Sequence, residues 1–176
     1  MIKDKYELMT DFYQFSMANG FVDNGIDTTE VWFDMFFRPS DKIGGFCVMA
    51  GLKELCEYLE NLKFDEDDIE FLKSRGISDS LAEYLRTFKF ECDVWAVPEG
   101  TPIFPGEPVV KVHGPVIQAS FIESMVLLSI NHQTLIATKA NRVVRAAHGR
   151  GVVESGTRRA HGADAAINGA RAAYIG

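Results

Sequence analysis

Apolar positions along this chain change period several times, and each change marks a new element. Over Tyr6–Gly20, Leu8, Phe12, Phe15 and Met17 recur at helical spacing, and Asn19-Gly20 supplies a stop signal. Thr10 and Asp11 are alternative caps for a helix that begins later. Thr28–Phe37 alternates instead, with Val31, Phe33, Met35 and Phe37 on one side and Trp32, Asp34 and Phe36 on the other. Aromatics on both sides predict a strand buried on both faces. After the Gly44-Gly45 break, Leu52, Leu55, Cys56 and Leu59 predict a helix over Gly51–Leu62. The acidic run Asp65-Glu66-Asp67-Asp68 opens another, Glu66–Ser74, where negative charge suits the helix dipole as a solvated cap. Leu81–Phe88 predicts a third short helix.

Between Cys92 and Pro115 the texture turns to short runs, Val94–Val97 and Val109–Val112, punctuated by proline and glycine. That texture predicts a small antiparallel sheet with tight turns. Ser120 and Glu123 then have capping-box spacing, and Pro115 suits a first helical turn. Apolar residues keep helical spacing from Phe121 to Val144, around a polar patch at Asn131-His132-Gln133-Thr134, and Gly149–Gly151 ends the run. A short strand, Val152-Val153, and a helix, Ala163–Tyr174, complete the chain. The expected fold class is α/β: an α+β domain over 1–114, then a long connecting helix and the first β-α unit of a parallel sheet or barrel over 115–176. One such unit cannot bury a parallel strand on both sides, so this part is expected to belong to a larger barrel or to need a partner chain.

With 47% hydrophobic residues in 176, a packed core is expected and disorder is not. Apolar runs fall far short of the roughly 20 residues that span a bilayer. Met1–Lys5 leads into polar residues, without the apolar stretch of a secretory signal. Cys47, Cys56 and Cys92 show no C-x-x-C spacing, so free thiols in a reducing cytoplasm fit better than disulfides or zinc. Charge is uneven: residues 1–100 hold 21 acids and 10 bases, residues 101–176 hold 4 acids and 8 bases. Seven of those eight are Lys139, Arg142, Arg145, Arg150, Arg158, Arg159 and Arg171. A basic third on an acidic protein points to a local anion. Nucleic acid is not expected, because these bases are not interleaved with aromatics.

The chemistry concentrates in Val153–Gly162, Val-Glu-Ser-Gly-Thr-Arg-Arg-Ala-His-Gly. Two adjacent arginines after a strand and a glycine turn are an anion site in outline, since a guanidinium binds phosphate or carboxylate bidentately. In α/β folds such a turn faces the crevice where ligands sit. The plain alternative is a surface turn whose arginines pair with Asp or Glu.

Several stretches in order resemble the nicotinate phosphoribosyltransferase family: Thr10-Asp11-Phe12-Tyr13-Gln14, Phe33-Asp34-Met35-Phe36-Phe37-Arg38 and Pro98-Glu99-Gly100-Thr101. So do Ile130-Asn131-His132-Gln133-Thr134 with Ala137-Thr138-Lys139-Ala140, and Gly156-Thr157-Arg158-Arg159-Ala160-His161-Gly162. The resemblance implies a type II phosphoribosyltransferase, an α/β amino-terminal domain followed by an irregular α/β barrel. It implies homodimers with active sites shared across the interface. The implied reaction joins nicotinate to 5-phosphoribosyl 1-pyrophosphate, with ATP hydrolysis and Mg2+. Neither cofactor has a recognisable motif here.

Carried onto this sequence, the family reading makes Arg158 and Arg159 the catalytic cations on the departing pyrophosphate, where developing charge rewards preorganised donors. Thr157 adds a hydroxyl and an N–H to the same anion. Tyr13 becomes an aromatic plate for the pyridine ring in the neighbouring subunit's pocket; without the family it reads as a half-buried helix tyrosine. His161 joins the substrate-binding set, although a structural turn histidine is the simpler reading. Asn131, His132 and Thr134 suit helix-to-helix hydrogen bonds better than ligand contact. The family commonly has an aromatic where this chain has Ser155, which removes a possible second ring face.

The family's glycine-threonine-serine loop and phosphorylated histidine have no counterpart in this sequence, so the chain alone is expected to turn over little or not at all. Nicotinamide or quinolinate are alternative bases, and quinolinate would call for more arginines. From another class stand a noncatalytic truncated subunit and a lipoyl- or biotinyl-like module in Glu99–Pro115. Such a module needs a lysine at a turn tip, whereas Lys111 lies within a predicted strand.

Overall fold

The structure is a computed structural model describing residues 6–39 and 43–176, so the predicted lack of a signal at Met1–Lys5 falls outside the described residues. Its elements run α1 (Phe12–Asp23), β1 (Glu30–Met35), β2 (Cys47–Val48), α2 (Leu52–Asn61), α3 (Glu66–Ser74), α4 (Asp79–Arg86) and β3 (Asp93–Ala96). Then follow β4 (Pro102–Ile103), β5 (Val110–Pro115), α5 (Val116–Phe121), α6 (Glu123–Ala146), a 3-10 turn (Thr157–Arg159) and α7 (Ala163–Ile175). The mixture of helix and sheet is the expected α/β class. Two compact units interleave along the chain. One takes Met1–Phe33, Cys56–Trp95 and Lys111–Val126, the other Asp34–Leu55, Ala96–Val110 and Leu127–Gly176.

The first unit is built on a helical core. Phe15 and Ala18 of α1, Ile69 and Leu72 of α3, Leu81 and Leu85 of α4, and Ile117 and Phe121 of α5 are all buried together. Phe15 and Phe121 lie 5.0 Å apart between ring centroids, which locks α1 against α5. Helix α1 begins at Phe12, the later of the two predicted starts, and runs through Asn19-Gly20 to Asp23. Asn19 fails as a stop because its side-chain oxygen accepts the Ser78 N–H at 2.8 Å; Asn24, bonded back to the Gly20 carbonyl, closes the helix instead. The buried face is Gln14, Phe15 and Ala18, so Phe12 and Met17 lie exposed, against the predicted stripe.

The acidic run does cap α3. Asp65 accepts the Asp68 N–H and Asp68 accepts the Asp65 N–H, both at 3.0 Å, a reciprocal capping box. Ser78 caps α4 with a single bond, accepting the Leu81 N–H at 3.2 Å, and starts it two residues before the predicted position.

Strand predictions fared less uniformly. β5 lies between β1 and β3 in a three-stranded sheet, whereas β4 pairs antiparallel with β2 in a two-stranded one. The run Cys92–Pro115 is therefore divided between two sheets and forms no sheet of its own. β1 is not buried on both faces: Trp32 and Phe33 are both about half exposed. Trp32 stacks on Trp95 at 5.5 Å and on His113 at 4.2 Å, so aromatic residues on its outer side meet each other rather than a second layer.

In the second unit α6 carries the packing. The predicted run from Phe121 is broken at Ile122, with Pro115 as the cap of α5 rather than within its first turn. Val48, Ala50, Ala137 and Ala172 form its buried cluster. The Thr138 hydroxyl accepts the Val48 N–H, and Thr134 both accepts from Ala50 N and donates to Ala50 O. Thr134 thus bonds the segment between β2 and α2, not another helix as predicted. Gly51, at φ +109°, sits where a Cβ would collide with the backbone carbonyl of Ser129 on α6. Gly51→Ala is expected to lower stability by about 2–4 kcal/mol, from strain and overpacking together, measured by urea denaturation.

Candidate functional site

The arginine turn belongs to the second unit. Val152 and Val153 form no strand there, because no neighbouring backbone among the described residues pairs with them, and Val153 is 86% exposed. The predicted β-α unit is therefore present as an extended segment, a 3-10 turn and α7. Gly156 donates its N–H to the Glu154 carboxylate, and Arg159 N–H closes the turn on the Gly156 carbonyl at 2.7 Å. Thr157, Arg158, Arg159 and His161 are all exposed. No ion pair or hydrogen bond among the described residues engages either guanidinium, so the plain alternative of arginines neutralised by Asp or Glu is not what forms. Gly162, at φ +115°, caps α7 with no side-chain acceptor, leaving first-turn N–H groups beside the two cations. Asp164 adds a carboxylate to that same first turn, as Glu154 does to the turn before it.

The rest of the basic third divides by environment. Arg142 is spent internally: its guanidinium donates to Phe46 O at 3.0 Å and lies over the Phe46 ring at 5.7 Å. Arg171 is spent more completely. It grips Glu99 through two bonds, at 2.8 Å and 2.5 Å, and reaches Gln133 Oε1 at 3.4 Å. Gln133 in turn donates to Glu54 on α2 at 2.7 Å. Glu99 also accepts Gly51 N–H at 2.7 Å and Leu52 N–H at 3.0 Å, capping α2. These bonds hold the Glu99 carboxyl down at about 2, the Arg171 hydrogen bond contributing most, against the opposing effect of burial. Both arginines therefore leave the set available to an anion, which narrows to Lys139, Arg145, Arg150, Arg158 and Arg159, all exposed.

Glu99 lies within the Pro98-Glu99-Gly100-Thr101 stretch, where nothing local gives it a chemical role. Its partner is 72 residues away, so no local spacing announces it. The only signal was an acidic residue between proline and glycine, just before a strand.

Tyr13 lies in the first unit, on α1, and is half exposed. Its hydroxyl donates to Glu123 Oε2 at 3.4 Å, and the neighbouring Gln14 amide donates to the same oxygen at 2.6 Å. The nearby Glu123 charge raises the phenol above its ordinary value, so the ring stays neutral. His132 and Asn131 sit on α6, Asn131 exposed and His132 half-buried. The thiols behave as expected: Cys47, Cys56 and Cys92 are free, and burial pushes Cys92 up to about 12. Lys111 lies within β5, with its amine over the Trp32 ring at 5.9 Å, so no lysine occupies a carrier-type turn tip there. No helix among the described residues is long and apolar enough to cross a membrane.

Residues 8–131 match the model for the nicotinate phosphoribosyltransferase (NAPRTase) N-terminal domain. The chain belongs to that family. It is 44% identical over 169 residues to nicotinate phosphoribosyltransferase pncB2 of Mycobacterium tuberculosis, covering 96% of this chain and 36% of that protein. To the Bacillus subtilis nicotinate phosphoribosyltransferase it is 41% identical over 174 residues, 98% of this chain and 36% of the relative. The crystal structure of human nicotinic acid phosphoribosyltransferase superimposes with a TM-score of 0.87 at 32% identity, over 95% of this chain and 34% of that one. A nicotinate-nucleotide pyrophosphorylase structure from Pyrococcus furiosus shares the fold, with a TM-score of 0.69 at 22% identity and coverage of 96% and 39%. The chain thus spans about a third of the length of the curated relatives it matches.

The Glu99 anchor makes a pH prediction. A carboxyl depressed in the folded state stabilises fully above its unfolded value, near 4.5, and the contribution fades as pH falls toward 2. Glu99→Gln is expected to cost about 2–3 kcal/mol at neutral pH and to flatten the acid limb of the melting-temperature profile. An acid limb unchanged by that substitution would remove Glu99 from the role.

Proposed function

We propose that this chain is the amino-terminal part of a nicotinate phosphoribosyltransferase, acting in pyridine nucleotide synthesis in the cytoplasm as a homodimer. The single observation carrying the reading is the arginine turn: two exposed guanidiniums, without an ion pair among the described residues, beside the glycine-capped start of α7 in a chain of this family. In the proposed reaction the nicotinate ring nitrogen forms a bond to C1 of the phosphoribosyl group. The C1–oxygen bond breaks, and its electron pair leaves with pyrophosphate. Arg158 and Arg159 would stabilise that leaving charge, which grows toward the transition state. Thr157 and the first N–H groups of α7 would serve the same anion. His161, three residues beyond Arg158, would stand at its margin. Tyr13, with its neutral ring half exposed, would supply a face for the pyridine in a second subunit.

The family resemblance implies Mg2+ and ATP, and among the described residues no cluster of three or more His, Cys, Asp or Glu side chains could hold a metal ion. We assign both to the remainder of the longer family polypeptide, together with the ligase-type coupling. The same remainder would complete the barrel around the unpaired segment Val152-Val153.

Two measurements test the reading. Purified alone, the chain is expected to form no nicotinate mononucleotide above background, and clear turnover would overturn the assignment of essential parts elsewhere. In the complete enzyme, Arg158→Ala is expected to weaken binding of 5-phosphoribosyl 1-pyrophosphate by about 1.5–3 kcal/mol or more in isothermal titration. An unchanged donor affinity would take Arg158 out of the site.

A further inference from the structure

Gln14 is a buried polar residue of α1, only 4% exposed. Its amide nitrogen donates to Glu123 Oε2 at 2.6 Å and to the Tyr13 hydroxyl at 3.2 Å. Tyr13 donates to that same Glu123 oxygen at 3.4 Å. Three groups therefore close a triangle around one carboxylate oxygen. The amide cannot be turned round without aiming its carbonyl at the carboxylate, so the triangle fixes its orientation. Its carbonyl oxygen is buried with no partner among the described residues. Leaving an acceptor unsatisfied is costly, so some other interaction must hold the side chain in this place, and the short charge-assisted bond to Glu123 does so.

The backbone sets up the same geometry. α5 ends at Phe121, Ile122 breaks the run, and Glu123 opens α6. Packing of Phe15 on Phe121 brings the start of α1 alongside that break. Tyr13 is thus exposed yet tied, whereas an exposed tyrosine on a helix is ordinarily free to change rotamer.

We propose that Gln14 and Glu123 are positioning residues for Tyr13, presenting its ring in one orientation so that an arriving planar base meets a preset face. The inference rests on the proposed role of Tyr13 as a plate for the pyridine. Fixing the ring before binding removes an ordering cost that binding would otherwise bear. Neither residue touches the base; both act through Tyr13.

The test uses the chain itself with 13C-labelled tyrosine, the Tyr13 signals being assigned with Tyr13→Phe. Tyr13 is expected to ionise at higher pH than N-acetyltyrosinamide in the same buffer. Glu123→Gln is expected to raise its acid dissociation constant at least about threefold. Gln14→Met, similar in size but unable to donate, is expected to lower the ring order parameter of Tyr13 while the melting curve holds. Ordinary ionisation of Tyr13 in the parent chain, or a ring equally ordered in Gln14→Met, would overturn the clamp. Adding nicotinate separates the two ideas. In the complete enzyme, a Tyr13 signal that titrates as expected but never responds to nicotinate would overturn the plate and leave the clamp standing.

Discussion

The second unit depends on one carboxylate. Glu99 sits in the turn between β3 and β4, where it caps α2 through two backbone N–H groups and grips Arg171 of α7 through two more bonds. Arg171 also meets Gln133 of α6, and Gln133 holds Glu54 of α2. Four segments distant in sequence are thereby held by a single charged network. A partly buried ion is tolerable only when its lone pairs are filled, and here every described bond of Glu99 fills one. Removing it would leave Arg171 charged and half-buried without its main partner.

This anchor explains how an exposed turn can keep its place. The arginine turn has no strand under it, and Thr157–Arg159 makes few bonds of its own. It runs directly into α7, which is secured further along by Arg171 and by Ala172, fully buried beside Ala137. Two cations can then stand without an ion pair among the described residues at the start of a helix, because the later part of that helix carries the stabilising contacts. The division of labour among arginines follows from this. Arg142 and Arg171 satisfy the protein's own oxygens, whereas Arg158 and Arg159 make no such bond among the described residues.

Helices were legible in the sequence to within a few residues wherever periodicity and a cap agreed, as over Glu66–Ser74 with its Asp65–Asp68 box. Strands were less so. Val152-Val153 has strand composition, but a strand exists only when another backbone pairs with it, and composition cannot state whether one is present. The run Cys92–Pro115 looked like one sheet because its strands are consecutive, yet β4 finds β2, more than fifty residues earlier. The candidate site was legible as chemistry, since adjacent arginines after glycine are rare enough to notice. Gln14 and Glu123 were not, because Gln14 stood out only as the last residue of the Thr10–Gln14 motif and Glu123 only by its capping-box spacing from Ser120.

What the sequence by itself determined here is local: helix starts, turn residues, the uneven charge, and the family to which the ordered motifs belong. Those follow from backbone preferences and residue chemistry over a few neighbours. Tertiary structure alone decided which charges are neutralised and which stay available. Burial and pairing across 72 residues, as between Glu99 and Arg171, depend on where distant segments meet. An arginine's composition is the same in both roles, and only its surroundings separate an internal clasp from a cation presented to a ligand.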